Sequence, residues 1–570
     1  MIYLINDNPA KSGKVKRWIY LPHAFAAFLL LVFLLAVYSN SFYGDWHYDD
    51  FANIVNNRHI QIKDYSWENI KHCIYGLEQK NPSRPLSFLS FSGNYYFFGL
   101  DVFSYHVVNF ILHYLAACFL FLFLLQTLQL PLIREKYTGI AYPLALSATL
   151  FWALNPVQVT SVAYIVQRMA VMAGLFCIVS MFFYLQARTA ESSIRSGIFY
   201  GLCAVAGVAA VLSKENAAML PVSIFIYDLF LIAGFNKENI KKYLKLAFGP
   251  VLFIVIAGFI YTDISAIPED YKIRDFTMLQ RLLTEPRVII FYLSLLFFPI
   301  NSRLTFLYDI DVSVSLLQPW TTLPAILFIL TATVFAFYLA RKRPLIAFCI
   351  IFYFLNHLIE GSVFPLELIY EHRNYLPAML LFVPPAEFLC KISSIYLNKK
   401  TGMIIFACVM AILLAVMGSI TYQRNSIIAA DFLLWTDNIE KSPRLSRPHT
   451  NLGRIYYNKN MNREALSEYE KAVALNNFGA PQALAIQNYN LGLLYFKEGK
   501  DDLALNYFHE SANVLPDFLQ NTIHMARIKI RRNNIAEARL ILAEKLEKYP
   551  GNAELMALYK QLPPAEGKGD

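Results

Sequence analysis

Charge is scarce in this chain. Asp, Glu, Lys and Arg make up 16% of its 570 residues, and hydrophobic types 56%. Soluble globular proteins run closer to about 25% charged and about 45–50% apolar, so the composition excludes an ordinary soluble protein and indicates a membrane one. Cysteine offers no framework. Cys118, Cys177, Cys203, Cys349, Cys390 and Cys408 fall in apolar stretches and leave Cys73 alone, so neither a disulfide set nor a zinc spacing can be built. A Gly-rich loop able to cradle nucleotide phosphates is missing too. The net charge of +9 sits in short Lys/Arg clusters between apolar runs, which is no nucleic-acid footprint.

What the chain does have is length of apolar sequence. Runs of about 17 residues or more are read as membrane crossings. Such runs lie at roughly 19–42, 103–126, 140–155, 169–187, 197–213, 217–234, 246–262, 321–340, 344–358, 375–390 and 403–423. The first is too long for a signal-peptide core and lacks a clear cleavage site, so it reads as a retained helix. Lys and Arg mark every second connection: Lys11 to Arg17, Arg134 and Lys136, Arg188 and Arg195, then Lys237 to Lys245. That bias puts the N-terminus in the cytoplasm and the loop 43–101 outside. The run 288–300 would upset this parity, because Arg341, Lys342 and Arg343 should be cytoplasmic. It is short, ends in Pro299, and reads as a re-entrant helix lining a cavity. The count is then about eleven spans in an all-α helix bundle, residues 1–424.

Residues 425–562 differ in kind: they are polar and repetitive. Leu452-Gly453, Tyr456, Ala465, Tyr469 and Ala472 recur as Leu491-Gly492, Tyr495, Ala504, Phe508 and Pro516, and again in part as Ala526, Ala538, Leu542 and Pro550. The offset from Gly492 to Ala526 is the tetratricopeptide (TPR) period of about 34. Projecting backwards places Trp435 and Pro443 in a half-repeat. A stacked α-solenoid, external by the parity argument, is expected, followed by a disordered tail at 563–570.

Chemistry concentrates where helices leave the bilayer. Directly after the first run come Asp45, Trp46, His47, Tyr48, Asp49 and Asp50. Carboxylates there can accept a proton, hold a divalent metal, or cap a helix. The short external connections are otherwise free of cations, which makes Arg168, Lys214 and Arg373 conspicuous; Arg84 stands in the first external loop, just before the second span. Ionisable groups at a membrane edge are costly unless they face protein or a wet cavity. Together they suit a phosphate. Local ion pairs are the plain alternative: Lys214 with Glu215, and Arg373 with Glu367 or Glu371. His106 and His113 share one face of the second span and read as interhelical hydrogen-bond partners.

Taken in order, the Asp-Asp loop, Arg84-Pro85-Leu86, the stretch from Asn155-Pro156 to Gln167-Arg168-Met169, Lys214-Glu215-Asn216 and Glu371-His372-Arg373-Asn374-Tyr375-Leu376-Pro377 resemble the GT-C glycosyltransferases. The branch most similar is that of transmembrane-and-tetratricopeptide O-mannosyltransferase-like proteins, and the resemblance covers nearly the whole chain. It implies a sugar donor on a polyprenyl phosphate, an external active site, and inversion at the anomeric carbon. Asp49 or Asp50 matches the family's acidic catalytic position; Arg84, Arg168, Lys214 and Arg373 match its basic, donor-phosphate positions. Glu215, Glu371, His47 and Asn155 would support them. Asn155 departs from the pattern, since relatives often carry His before that proline. The form Gln167-Arg168-Met169 looks bacterial, which would place loop 43–101 and the repeats in the periplasm beside the inner membrane. The expected partners are the lipid-linked sugar, the bilayer and a protein or peptide acceptor held by the repeats; no metal ligands are assigned, and a divalent metal stays open as cofactor. Two rivals share these features: a lipid-linked-sugar flippase, which also needs cations at the membrane edge, and a non-catalytic scaffold that recruits partners through its repeats.

Overall fold

The computed structural model describes residues 15–75, 84–247, 258, 267–396, 399–477 and 479–563, and every regular element among them is helical. The chain divides into two compact units. One comprises Met1–Ile267, Met278–Phe306 and Asp311–Leu433; the other comprises Pro268–Thr277, Leu307–Ile310 and Leu434–Asp570.

Seven helices of the first unit are long and apolar enough to cross a membrane: Pro22–Ser41, Val102–Thr127, Ile165–Thr189, Ser193–Ser213, Glu215–Ile232, Thr322–Leu339 and Lys400–Ala429. Two shorter apolar helices, Ala141–Ala153 and Pro344–His357, accompany them. These helices are hydrophobic all round, and many keep large apolar side chains such as Phe28, Leu327, Phe328 and Ile404 exposed. Such surfaces suit lipid rather than water. The bundle is that of a multi-pass membrane protein.

Two expected spans, 246–262 and 375–390, and the expected re-entrant run 288–300 do not fall on one of these helices. Run 246–262 falls almost wholly outside the described residues. Run 375–390 is not one helix: Glu371–Asn374 and Pro377–Leu380 are single 3₁₀ turns, and an α-helix begins only at Val383. Pro377, Pro384 and Pro385 lack the N–H that a continuous helix would use. The turns are enclosed by protein, with Tyr375, Leu376, Ala378 and Met379 buried, a setting in which irregular backbone is tolerated at membrane depth. Gly174 makes that enclosure possible, because a Cβ there would stand 2.7 Å from ring carbons of Tyr375. Run 288–300 belongs to a longer helix, Met278–Phe297, whose buried stripe is Arg281, Thr284, Glu285, Val288, Tyr292, Leu295 and Leu296. The spacing is helical, and its first turns carry charge inward.

In the second unit, helix pairs follow one another: Ser446–Asn458 with Asn462–Leu475, Pro481–Lys497 with Asp501–Val514, and Leu519–Arg531 with Ile535–Lys548. Small residues lie under aromatic ones. A Cβ on Gly492 would meet Phe508 at 2.6 Å, Gly453 sits likewise beneath Tyr469, and Ala465, Ala504 and Ala538 are fully buried. Leu434 and Trp435, the half-repeat expected from the period, are buried as well. The boundary falls at 433/434 instead of 424/425, because Lys399–Ala429 continues as one 31-residue helix. Residues 307–310 join this unit through side-chain pairing that the sequence does not advertise. Asn438 accepts from the Leu307 N–H at 2.9 Å and donates to the Leu307 carbonyl at 2.8 Å.

Candidate functional site

The acidic loop begins where the first helix ends in a 3₁₀ turn, Ser39–Ser41. Its two adjacent aspartates are held differently. Asp50 is fully buried; its Oδ2 accepts the His47 N–H at 3.0 Å and its Oδ1 the Val166 N–H at 2.7 Å. The carboxylate thereby ties the loop to the turn Ile165–Gln167, a contact bridging distant parts of the chain. Burial pushes its pKa up to about 7, although the two backbone hydrogen bonds pull the other way. Asp49 is only half-buried. Its N–H donates to the Tyr164 hydroxyl at 2.9 Å and its carbonyl accepts from Asn53 at 2.8 Å, so the backbone is fixed on both sides of the side chain. Tyr48, just before it, has φ +39°. Non-glycine residues adopt that conformation at a cost of order 1–3 kcal/mol, and such strain gathers at functional sites. His47 anchors the loop from the other side, with Nδ1 3.2 Å from Asp431 Oδ1.

The cations converge near this loop, each in company. Arg84 (φ +53°) grips Glu215 with a fork, Nε to Oε2 at 2.8 Å and Nη2 to Oε1 at 2.5 Å, and it lies within the electrostatic reach of Glu360 and Asp49. Lys214 pairs with Glu360 at 2.6 Å, the two side chains 5% and 4% exposed. Arg373 is buried, donates to the Leu368 carbonyl at 3.0 Å and rests 5.6 Å from the Tyr370 ring centre. Burial alone would raise the Glu360 carboxyl; Lys214 and Arg373 hold it below the ordinary range instead. His372 stacks on Tyr370 with centroids 5.0 Å apart. Burial, then Lys214, Arg373 and Arg84, push its imidazole well below the usual value, so it is neutral among cations. The local pair Lys214–Glu215 that the sequence suggests is replaced by two longer-range ones, Arg84–Glu215 and Lys214–Glu360.

Other expected residues are built into the framework. Arg168 is fully buried, and its Nε, Nη1 and Nη2 donate to Asn109 Oδ1 (2.6 Å), Asn94 Oδ1 (2.7 Å), the Ser90 carbonyl (3.1 Å) and the Tyr105 carbonyl (3.1 Å). Its guanidinium carbon also stands 4.7 Å from the Phe91 ring centre. These bonds tie the second and third long helices to the helix Pro85–Phe98. Asn155 caps the turn at Val157 (3.1 Å) and donates to the Leu296 carbonyl (2.9 Å). Glu371 is buried in its own turn, where its carbonyl accepts from Asn374 at 3.1 Å. His113 is an interhelical partner, bonding the Ala153 carbonyl at 3.0 Å as well as the Tyr375 hydroxyl at 2.8 Å, whereas His106 meets the acidic loop instead of a helix, its Nε2 3.3 Å from the Gly44 carbonyl. Among the described residues no group of three or more His, Cys, Asp or Glu is gathered as for a metal.

Glu360 and Glu285 escape a sequence reading. Glu360 does carry a signal, an acid placed directly after an apolar run at the membrane edge. Glu285 pairs with Arg281 at 2.7 Å, one turn apart on a helix too charged to be read as a span.

Residues 446–478 match the tetratricopeptide repeat family. Over 470 residues the chain is 22% identical to a protein O-mannosyl-transferase of Caenorhabditis elegans, covering 79% of this chain and 62% of that protein. The chain is similar to protein O-mannosyl-transferases. Two from Homo sapiens extend the comparison: TMTC4, 28% identical over 39% of this chain and 31% of its own length, and TMTC2, 31% identical over 37% and 24%. The chain therefore spans less than two thirds of the length of each of these relatives.

Proposed function

We propose that this chain is a membrane glycosyltransferase that moves a sugar, as its mannosyltransferase relatives' names suggest a mannose, from a polyprenyl-phosphate donor to a hydroxyl of a protein acceptor. The observation that carries the reading is the unequal treatment of the two aspartates beside a cluster of cations. Asp50 is committed to backbone amides. Asp49 is a half-buried residue, on a backbone fixed at both ends, within the electrostatic reach of Arg84. Asp49 is then the base: its carboxylate takes the proton of the acceptor hydroxyl as that oxygen attacks the anomeric carbon. The bond from that carbon to the phosphate oxygen breaks in the same step, which inverts the centre, and the electron pair leaves with the lipid phosphate.

Arg84, Lys214 and Arg373 stabilise the charge that develops on the leaving phosphate, the place where preorganised cations help most. Without donor they are balanced by Glu215 and Glu360, so the phosphate enters by competing with these acids. Arg168 acts at one remove, by holding the helices that carry the loop. The face bearing Asp49 is the non-cytoplasmic one, because Lys and Arg crowd the connections at the other helix ends. The repeats would orient the acceptor. The test is transfer from synthetic polyprenyl-phosphate sugars by the purified chain in bilayer discs. Transfer is expected to be lost in Asp49→Asn with donor binding intact. Lipid movement without transfer, indifferent to Asp49, would point to a flippase and overturn the reading.

A further inference from the structure

The helices that carry Lys214–Glu215 and Glu360 have a second end. Glu215–Ile232 has 18 residues and Pro344–His357 has 14. At about 1.5 Å per residue, their far ends lie about 20 Å or more from the cations and acids of the candidate site. There the connections form a cleft of about 630 Å³ whose lining includes Leu132, Lys136, Gly234, Phe235, Lys237 and Arg341. Gly234 (φ +88°) makes the turn that brings Phe235 and Lys237 round to it.

Its charges are arranged unlike those of the candidate site. Among the described residues no Asp or Glu lines the cleft. Lys136 gives one hydrogen to the Lys342 carbonyl at 2.7 Å, out of three that an ammonium carries. Among the described residues no acid pairs with Lys237 or Arg341, both exposed. A counter-acid exists nearby, but it is spoken for: Glu387 takes Arg343 at 3.2 Å, Lys391, and the Tyr137 hydroxyl at 2.9 Å. The cleft is thus a place where an anion is missing its host's counter-charge.

The other half of the observation is apolar. Phe235 packs on Phe337, with ring centroids 6.2 Å apart. Phe337, Val334 and Leu330 are 43%, 69% and 57% exposed. Three and four residues apart, they form one stripe running from the cleft along helix Thr322–Leu339. A soluble anion would use the cations and ignore this stripe; an amphiphile uses both.

We infer that this cleft seats the phosphate headgroup of an anionic phospholipid, on the face of the bundle opposite the candidate active site, with an acyl chain against Phe337, Val334 and Leu330. Basic pockets between membrane helices are suited to such headgroups, each cation near the surface adding to the attraction.

The experiment is native mass spectrometry of the full chain released from micelles containing phosphatidylglycerol, phosphatidylcholine or inorganic phosphate. Wild type should retain phosphatidylglycerol over phosphatidylcholine. The double variant Lys237→Gln, Arg341→Gln should lower that retention about tenfold. A control with the same charge change outside the cleft, Lys241→Gln, Lys245→Gln, should leave it nearly unchanged. Phe337→Ser should weaken lipid retention with no gain or loss of phosphate. Equal losses in the two double variants would mean diffuse surface attraction and overturn the site. Equal retention of phosphatidylcholine would do the same, and displacement of the lipid by millimolar phosphate would replace the lipid with a free anion.

Discussion

The two units of this chain are stabilised in opposite ways. The interior of the membrane bundle holds Asp50, Arg168, Lys214, Arg281, Glu360 and Arg373, all buried. The core of the repeat unit is Gly and Ala fitted under Tyr469 and Phe508 beside Leu491 and Leu494, with a second cluster around Ile523 and Leu542; ion pairs such as Lys548–Asp517 at 2.6 Å are on its surface, while His449–Glu468 is largely enclosed. Burying an ion pair gives no dependable gain in stability, whereas leaving one partner alone costs several kcal/mol. Surface pairs are worth about 0–1 kcal/mol. A unit that keeps buried charge despite its cost is the one in which chemistry is to be sought. The unit built on steric fit is the one to regard as a scaffold.

The comparison breaks first at Asp49. Asp49→Asn keeps size and hydrogen bonding but takes up no proton, and transfer should fall by about 10²–10⁴-fold with unchanged donor binding and folding; full activity would remove the catalytic meaning of the buried charges. Next comes Lys214→Ala, which strands Glu360. Thermal unfolding of the solubilised chain should show a loss of about 3–5 kcal/mol, largely restored by adding Glu360→Gln. No restoration would mean that the two do not form a pair in solution.

Asp50 sharpens the contrast through pH. Its native pKa, raised by burial from 3.8 to about 7, means that the folded chain holds a proton which the unfolded chain releases. This carboxyl's share of the stability is therefore greatest at low pH and declines as pH rises from about 4 to about 7, by at most about 1.4 kcal/mol per unit. Asp50→Asn should flatten that part of the stability–pH curve. The opposite slope in wild type, stability gained over the same range, would show the carboxylate ionised and stabilised by its two amides.

The smallest expected effect lies in the repeats. Gly492→Ala should cost about 1–3 kcal/mol by forcing Phe508 aside, with acceptor modification weakened and transfer to a small free hydroxyl acceptor preserved. Equal loss of both reactions would give the repeats more than a scaffold's part.

The amino-acid sequence by itself determined the class of each unit. Apolar length is a local property, so most of the long helices could be read within a few residues, as could the period that puts Gly492 and Ala526 in register. It also placed Asp49, Arg84, Lys214 and Arg373 at helix exits, because an ionisable group at a membrane edge stands out against its neighbours. Pairing is another matter. Whether Lys214 meets the adjacent Glu215 or the distant Glu360, and whether Arg168 faces a ligand or is enclosed by Asn94, Asn109 and Tyr105, depends on which helices lie side by side. The same holds for the turns at Glu371–Leu380, where three prolines and the room left by Gly174 outweigh an apolar run. Only the tertiary structure decides these, since the energy of a buried charge is set by what surrounds it in space and not by what precedes it in the chain.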